Sequence, residues 1–546
     1  MALKSPHAAI LALQLVKEQY GNLPEMVCRQ LIKQGSQTLP ELARSLPCSR
    51  QDLRQALLLL IQQNCVNVYL NVTEANLRGP ASSAYMYEAA VGAICLNIRK
   101  PRFLMHLRDE AGELPELVLE CLLENGRLRT QQVVALVASK MEVGVDSIRS
   151  EVVGAITSLV HAHYLERAPP STLPVPEKKV FSAKVLSKAA RAEAEMERSR
   201  REAPHAAYQK DRFRLPNDLY DYAETGSAEG KQQVQPGLET VGEKRAREAE
   251  EEATAADSVN SILWRANADE FNRRFRHTLC VELVKEKMDA ESSLVVEAVL
   301  AVSRMSEGSV SESSTRPVNV TETRLALERR VGSAASEGEG GSSATIDAGA
   351  ILQELSQDPL EMVSFSGDTA YGATYTVNME RIMDVVKLKE MEAVVRERFG
   401  IPALRVFRLL FQRHQLEQKQ IAEMVMSPIK ETREVLYNML KAGFVALQEV
   451  PKTADHAPSR TFYLWRIDHH QSSTQLASEL YKAAANLRMR FAVEQDREKE
   501  VLERLEASRP LSAVEHARLV RMKNVATVLD SSLLRLDELI AIFNDF

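Results

Sequence analysis

The residues with the most obvious chemistry lie in one basic run. Between positions 178 and 201, Lys178, Lys179, Lys184, Lys188, Arg191, Arg198, Arg200 and Arg201 stand against Glu193, Glu195 and Glu197, a net charge of +5 (eight minus three). Such a run can neutralise phosphates and release their counterions. It can equally serve as a nuclear-import signal or as a solvated linker, and its composition leaves the three roles open. A second group, Lys452, His456 and Arg460, lies in or beside a polar loop near the C-terminal third. These side chains can contact nucleic acid or a partner, or simply hold the loop by hydrogen bonds. His161 with His163, and His469 with His470, have no Cys or carboxylate at ligand spacing and read as ordinary histidines, not a metal site. The sequence has no phosphate-binding loop, no nucleophile elbow, no dinucleotide fingerprint and no acidic metal triplet. The glycines between 338 and 341 lack a following Lys-Ser or Lys-Thr and read as a linker. No catalytic, cofactor-binding or metal-ligating residue is therefore expected, and no cofactor.

The elements that must position these groups are mostly helical. Around the second basic group, Thr432, Leu436 and Met439 fall on one helix side, and Gly443 stands where the helix should stop. Phe444 to Leu447 and Thr461 to Trp465 read as strands flanking the loop Pro451 to Ser459. Upstream come an apolar helix through Leu404, Phe407, Leu410 and Phe411, and a short one from Gln418 to Val425. Helix, helix, helix, strand, loop and strand is the plan of a winged helix.

That plan recurs from the N-terminus. Helices are expected at Ala8 to Tyr20, Leu23 to Lys33 and Leu39 to Leu46. Ser49 caps a fourth with the stripe Leu53, Ala56, Leu57 and Leu60, and strands follow at Val66 to Val72 and Tyr85 to Glu88 around a wing from Asn76 to Ser83. A second copy has helices at Leu114 to Leu123, at Gln131 to Met141 capped by Thr130, and one capped by Asp146 or Ser147 with Ile148, Val152, Ala155 and Leu159 inward. Tyr164 to Glu166 is its strand. The repetition reads as one of architecture rather than of letters.

After Arg167, prolines at 169, 170, 174 and 176 open a charged tract with few apolar residues, expected to be mostly disordered from 169 to 257. Phe271, Phe275, Leu279 and Leu283 then recur at spacing four, Leu294 to Val302 is a second helix, and 306–343 reads as a Ser/Gly-rich loop with room for a helical piece near Leu325. A helix at Ile351 to Leu355 and strands flanking a Gly367-Asp368 turn complete a third unit. At the C-terminus Leu519, Met522, Ala526, Leu529, Leu533, Leu536, Ile540 and Phe543 alternate spacings of three and four, and Leu476 to Phe491 nearly does the same. The expectation is an antiparallel coiled-coil hairpin. The fold class is thus mainly α, with four tandem α+β winged-helix units and that hairpin. Boundaries are 1–88, 89–168, the insertion 169–257, 258–378, 379–467 and 471–546.

The formal net charge of -6 argues against a chain coated in base. Six scattered cysteines without a C-x-x-C pair read as reduced thiols of a cytosolic or nuclear protein. No basic start with a long apolar segment suggests a signal peptide, and no run is apolar enough to span a bilayer. The third helices are near neutral: Arg50 and Arg54 against Asp52, Arg149 against Asp146 and Glu151, and Lys430, Arg433 and Lys441 against Glu431 and Glu434. Binding through phosphates needs several uncompensated cations, so these helices are expected to face protein.

Several stretches resemble a known family. The segment Glu449-Val450-Pro451-Lys452-Thr453-Ala454-Asp455-His456-Ala457-Pro458-Ser459-Arg460-Thr461-Phe462-Tyr463-Leu464 is similar to a characteristic phrase of the third-largest subunit of RNA polymerase III. Gly35-Ser36-Gln37, Gly112-Glu113-Leu114, Asp358-Pro359-Leu360-Glu361 and Glu417-Gln418-Lys419-Gln420 also fit, and the likeness is densest from Ile262 to Ile467. The resemblance implies four winged-helix units and a coiled coil. It further implies a nuclear, non-catalytic subunit in a heterotrimer with two other polymerase III-specific subunits, related in part to the general initiation factor E of RNA polymerase II. That subcomplex would sit on the clamp side, with other polymerase III subunits and initiation factors as partners. It would contact DNA without sequence preference, serving promoter recruitment, DNA opening and transcription initiation of small non-coding RNA genes. The competing expectation is a free-standing winged-helix DNA-binding regulator.

Overall fold

The computed structural model describes residues 5–73, 82–176, 202–225, 259, 261–336, 347–369, 372–452, 461–507 and 512–546. Contacts divide the chain into two compact bodies. One comprises Met1–Glu270 with Ala485–Leu529, the other Phe271–Ala484 with Asp530–Phe546.

The first body begins with a winged helix. Its helices are Pro6–Tyr20, Asn22–Gln34, Leu39–Ser45 and Arg50–Gln62, and its sheet pairs Val66–Thr73 with Ser82–Ala89 and that strand with Gln37–Thr38. Ser49 caps the last helix by accepting the Asp52 amide, and Leu53, Ala56, Leu57 and Leu60 are buried, as their spacing requires. The second winged helix repeats this with Glu113–Asn125, Thr130–Lys140, Val145–His161 and the strand Leu165–Arg167. Here the letters repeat too: Gly21-Asn22-Leu23-Pro24-Glu25-Met26-Val27 matches Gly112-Glu113-Leu114-Pro115-Glu116-Leu117-Val118 at five of seven positions. Gly21 and Gly112 both have φ 90°, with ψ of -172° and -171°, a conformation that side chains resist. The repeat is one of sequence as well as plan.

The closing strand of the second winged helix lies beyond the charged tract. Trp264–Ala266 pairs antiparallel with Leu165–Arg167, so the two strands of its hairpin are joined in sequence by residues 168–263. This strand precedes the helix marked by the spacing of Phe271, Phe275, Leu279 and Leu283, which runs from Ala268 to Lys287. Trp264 is fully buried, and its indole N–H donates to the Thr130 hydroxyl at 3.1 Å. Thr130 does not cap its own helix but is its first residue: Arg129 is the N-cap, and its N–H is accepted by Gln132 at 3.0 Å. Nor do Asp146 or Ser147 cap the next helix, which starts after Gly144 with the Ser147 hydroxyl donating to the Gly144 carbonyl.

Within the tract expected to be mostly disordered, some of the described residues form helices. Residues 202–211 and Leu219–Thr225 are helical and held to the second winged helix by polar groups, which a count of apolar residues cannot register. Arg212 pairs with the buried Glu166, Tyr208 donates to the Arg167 carbonyl at 2.8 Å, and Phe213 stacks on His163 with centroids 3.8 Å apart. Leu219 and Tyr222 are buried.

In the second body the third winged helix uses Ala290–Ser303, Val320–Ser336 and Ala348–Ser356, with strands Val318–Asn319, Val363–Thr369 and Gly372–Val377. The expected 306–343 loop therefore contains a strand and a full helix, and this helix is the unit's second. Gly367 marks a register shift within the hairpin rather than its turn, with φ 148°. The fourth winged helix begins within Met379–Arg413, which bends at Gly400 (φ 82°). It continues through Gln418–Val425 and Ile429–Lys441 to strands Ala446–Pro451 and Thr461–Arg466. Thr432, Leu436 and Met439 are buried, and Gly443 is left-handed.

The helix before the wing, third in the plan that Asn22–Gln34 and Glu113–Asn125 begin, ends alike in three of the winged helices. Asn64, His163 and Gly443 have φ of 56°, 65° and 77°, and the next amide reaches back to the helix. Cys65 donates to Leu60, Tyr164 to Leu159 and Phe444 to Met439, at 2.8, 2.9 and 3.0 Å. These are Schellman turns, and they align the three helices residue by residue.

The C-terminal runs form helices His469–Arg497 and Ala513–Ile540 with a short Lys499–Glu506 between them. Leu519, Leu533, Ile540 and Phe543 are buried, whereas Met522, Leu529 and Leu536 are half-buried. In the second body Lys387 donates to the Phe546 carbonyl at 3.0 Å, and Ser472 donates to Phe444 at 3.3 Å. In the first, Arg488 holds Glu18.

Candidate partner and nucleic-acid interface

The third helix and wing are what a winged helix presents outward, and here they are not basic. Counting back from the aligned Schellman turns, the outward stripe is Arg50, Arg54 and Leu58 in the first winged helix. It is Arg149, Val153 and Thr157 in the second, and Ile429, Arg433 and Tyr437 in the fourth. Leu58 is 66% exposed and Tyr437 48%. Around the fourth stripe, Met424, Met426 and Ile429 are exposed, Met426 at 92%. On its wing, Val450 pairs with Phe462 across the strands, and both are exposed. A surface of this composition suits contact with protein better than a run of phosphates.

The second winged helix differs. Its stripe is covered by a segment from between its own hairpin strands: helix Leu219–Thr225 packs on Val145–His161. The Arg149 guanidinium, paired with Asp146, lies 5.7 Å from the Tyr222 ring centroid. Asp218 fixes the far end by accepting the Val259 N–H at 3.0 and 3.1 Å.

Of the sequence-predicted contact residues, the described part of the chain includes only Lys452. Its ammonium lies 4.3 Å from the Phe462 ring centroid, a cation–π contact that braces the fourth wing. Lys178, Lys179, Lys184, Lys188, Arg191, His456 and Arg460 lie outside the described residues, as does the first wing's 74–81. His163 belongs to a Schellman turn, and burial holds His469 below the usual imidazole range. Among the described residues, no group of three or more His, Cys, Asp or Glu could hold a metal ion, and no helix is long and apolar enough to cross a membrane. The six cysteines are free; burial pushes the Cys65 thiol up to about 11 and that of Cys280 to about 12.

Two polar clusters escaped the sequence reading. In the first body Gln62 donates to the Asn125 carbonyl and Gln63 to the Glu124 carbonyl, each at 3.0 Å, while Arg127 donates to the Asn64 side chain at 2.8 Å. The end of one winged helix's third helix thus caps the end of the next one's first. Burial brings the Arg127 guanidinium down to about 10. In the second body Arg276 and Glu307 are both buried and pair at 2.8 Å, with Arg273 3.3 Å and His277 3.0 Å from the same carboxylate. Burial opposes the charge of Glu307, but His277, Arg276 and Arg273 outweigh it and hold its carboxyl below the usual range. Burial also depresses His277, with Arg276 and Arg304 adding to the effect and Glu307 opposing it. No periodicity marks these residues: the spacing-four pattern points at Phe275 and Leu279, which are half-buried, while Arg276 and His277 are buried.

Comparison with known proteins gives matches along most of the chain. The family model for the RNA polymerase III subunit RPC82 helix-turn-helix domain matches residues 10–71, and that for RNA polymerase III subunit RPC82 matches 154–386. The model for the POLR3C C-terminal winged-helix domain matches 391–467. The DNA-directed RNA polymerase III subunit RPC3 of Bos taurus is 30% identical over 534 residues, covering 94% of this chain and 90% of the relative. That of Homo sapiens is 29% identical over 562 residues, covering 97% and 96%. The Dictyostelium discoideum subunit is 30% identical over 248 residues, 45% of this chain and 37% of the relative.

Proposed function

Because the chain belongs to the RPC3 family of RNA polymerase III subunits, we propose that it is a non-catalytic scaffold of that enzyme in the nucleus. In this reading it joins two other polymerase III-specific subunits in a heterotrimer. That heterotrimer acts with initiation factors in promoter recruitment, DNA opening and transcription initiation of small non-coding RNA genes. The observation that carries it is the outward face of the third helices: in the first and fourth winged helices it is apolar in part, on helices whose acidic residues leave a net charge of only +1 (two minus one and three minus two), and in the second it is covered. Contact with DNA is then sequence-blind and carried by basic segments such as Lys178 to Arg201. The competing reading, a free-standing DNA-binding regulator, draws on the exposed Arg50 and Arg54.

Affinity purification of the tagged chain, with identification of co-purifying proteins, tests the proposal. Recovery of polymerase III subunits in near-equal amounts supports the scaffold. Recovery of the chain alone, together with a promoter preference of the isolated protein, supports the regulator.

A further inference from the structure

The second winged helix holds a ligand of its own making, and the alignment of third helices shows what that ligand replaces. Arg50, Arg54 and Leu58 occupy the same three positions as Arg149, Val153 and Thr157. Arg54 is exposed in the first winged helix, as Arg433 is in the fourth, so this position points outward in the plan. In the second winged helix Val153 takes it and is only 2% exposed, on the helix against which Leu219–Thr225 packs, and Arg149, one turn before it, meets the Tyr222 ring. The occupant has a simple chemistry. Leu219 and Tyr222, three residues apart, are buried, and the sequence of the same segment is acidic, with Asp218, Asp221 and Glu224. Arg149, the residue equivalent to Arg50, is the cation that meets the tyrosine ring.

We propose that the stripe Arg50, Arg54 and Leu58 of the first winged helix is a docking site for a short acidic amphipathic helix, with Leu and Tyr three residues apart, supplied by a partner protein. Leu58, 66% exposed, offers the apolar contact. Two arginines in place of the second winged helix's one favour a segment more acidic than the internal one. The internal segment is tethered beside its site and needs little intrinsic affinity, whereas a partner must supply more contacts of its own.

The probe is a fluorescent peptide of this chain's residues 214–225, titrated by anisotropy into the full-length protein, with hydrogen–deuterium exchange locating it. The site predicts saturable binding that protects amides of Arg50–Gln62. Arg50→Glu with Arg54→Glu should weaken binding roughly tenfold or more, and Leu58→Asp should do the same. A peptide carrying alanine at the Leu219 and Tyr222 positions should not bind. All three changed protein positions are exposed, so folding should persist, and unchanged exchange elsewhere checks it. Absence of saturable binding overturns the proposal, as does protection confined to Val145–His161. The inference rests on the scaffold reading only in supposing a protein partner. Co-purification of polymerase subunits without peptide binding would sink the site alone, and peptide binding without co-purification would sink the scaffold alone.

Discussion

Gly126→Ala should damage the first body far more than the same change at Gly112. Both glycines have positive φ, 80° and 90°, so each alanine incurs backbone strain of about 1–3 kcal/mol. A small gain of about 0.4–1 kcal/mol from a stiffer unfolded chain offsets part of it in both. Space separates them. A Cβ on Gly112 meets nothing within 4 Å, whereas one on Gly126 would lie 2.0 Å from the Gln62 carbonyl oxygen and 2.9 Å from the Gln63 Cα. Both of those are backbone atoms, so no side chain can swing aside. Restoring ordinary contact at 3.4 Å requires a movement of 1.4 Å (3.4 minus 2.0). That movement would stretch the two glutamine hydrogen bonds to Asn125 and Glu124, now 3.0 Å each, beyond useful length. Each is worth about 0.5–1.5 kcal/mol. The expected loss is therefore roughly 3–5 kcal/mol for Gly126→Ala against about 1–2 kcal/mol for Gly112→Ala. At about 2–4 °C per kcal/mol for a body of this size, the melting transition should fall by roughly 10 °C in the first variant and about 4 °C in the second. Differential scanning calorimetry of the full chain measures this, with hydrogen exchange over Glu113–Asn125 identifying the affected transition. Equal shifts in the two variants would refute the packing argument.

Other outcomes follow from the same structure. Changing Lys178, Lys179, Lys184 and Lys188 to Ala should flatten the log–log salt dependence of DNA binding by up to about three units, since each phosphate contributes roughly -0.9 on duplex and about -0.7 on single strands. Arg50 with Arg54, or Lys430 with Arg433, should alter it little; a titration on random and promoter-like DNA decides. Leu533→Asp, which buries a carboxylate, should cost several kcal/mol and lower co-purification of polymerase, while Val528→Asp on the exposed side should be near neutral. Unchanged helicity and recovery in a Leu529→Asp, Leu533→Asp double variant would sink the proposed C-terminal zipper. The second body should lose stability on acidification below about pH 6.5: unfolded His277 protonates there, whereas folded His277, depressed by burial, resists. A second loss should follow below about pH 4.5, where unfolded Glu307 takes up its proton before the folded group does. Thermal melts across pH for His277→Gln should show a smaller first loss, with His469 supplying the remainder. Arg276→Met should cost about 3–5 kcal/mol by leaving the Glu307 carboxylate buried without its closest guanidinium.

The sequence by itself determined what depends on neighbours a few residues apart. The stripe Leu53, Ala56, Leu57 and Leu60, the Ser49 cap and the left-handed Gly443 are local, because helix faces and caps are set within one or two turns. The family resemblance rests likewise on contiguous letters. The repeat of Gly-x-Leu-Pro-Glu-x-Val was equally legible, yet shows its meaning only once both glycines share one backbone conformation. Tertiary structure decided what closes over distance. Nothing near Leu165 announces that its partner strand begins at Trp264, because the groups that hold Trp264 there, such as the Thr130 hydroxyl, lie far away in the chain. Residues 202–225 look unfoldable by apolar content, yet Arg212, Tyr208 and Leu219 find partners that only the assembled winged helix provides. Arg276 and His277 are buried against the hydrophobic pattern because Glu307, far along the chain, compensates them. Local spacing fixes which face a helix can bury; which polar groups join that face depends on what the rest of the chain brings to it.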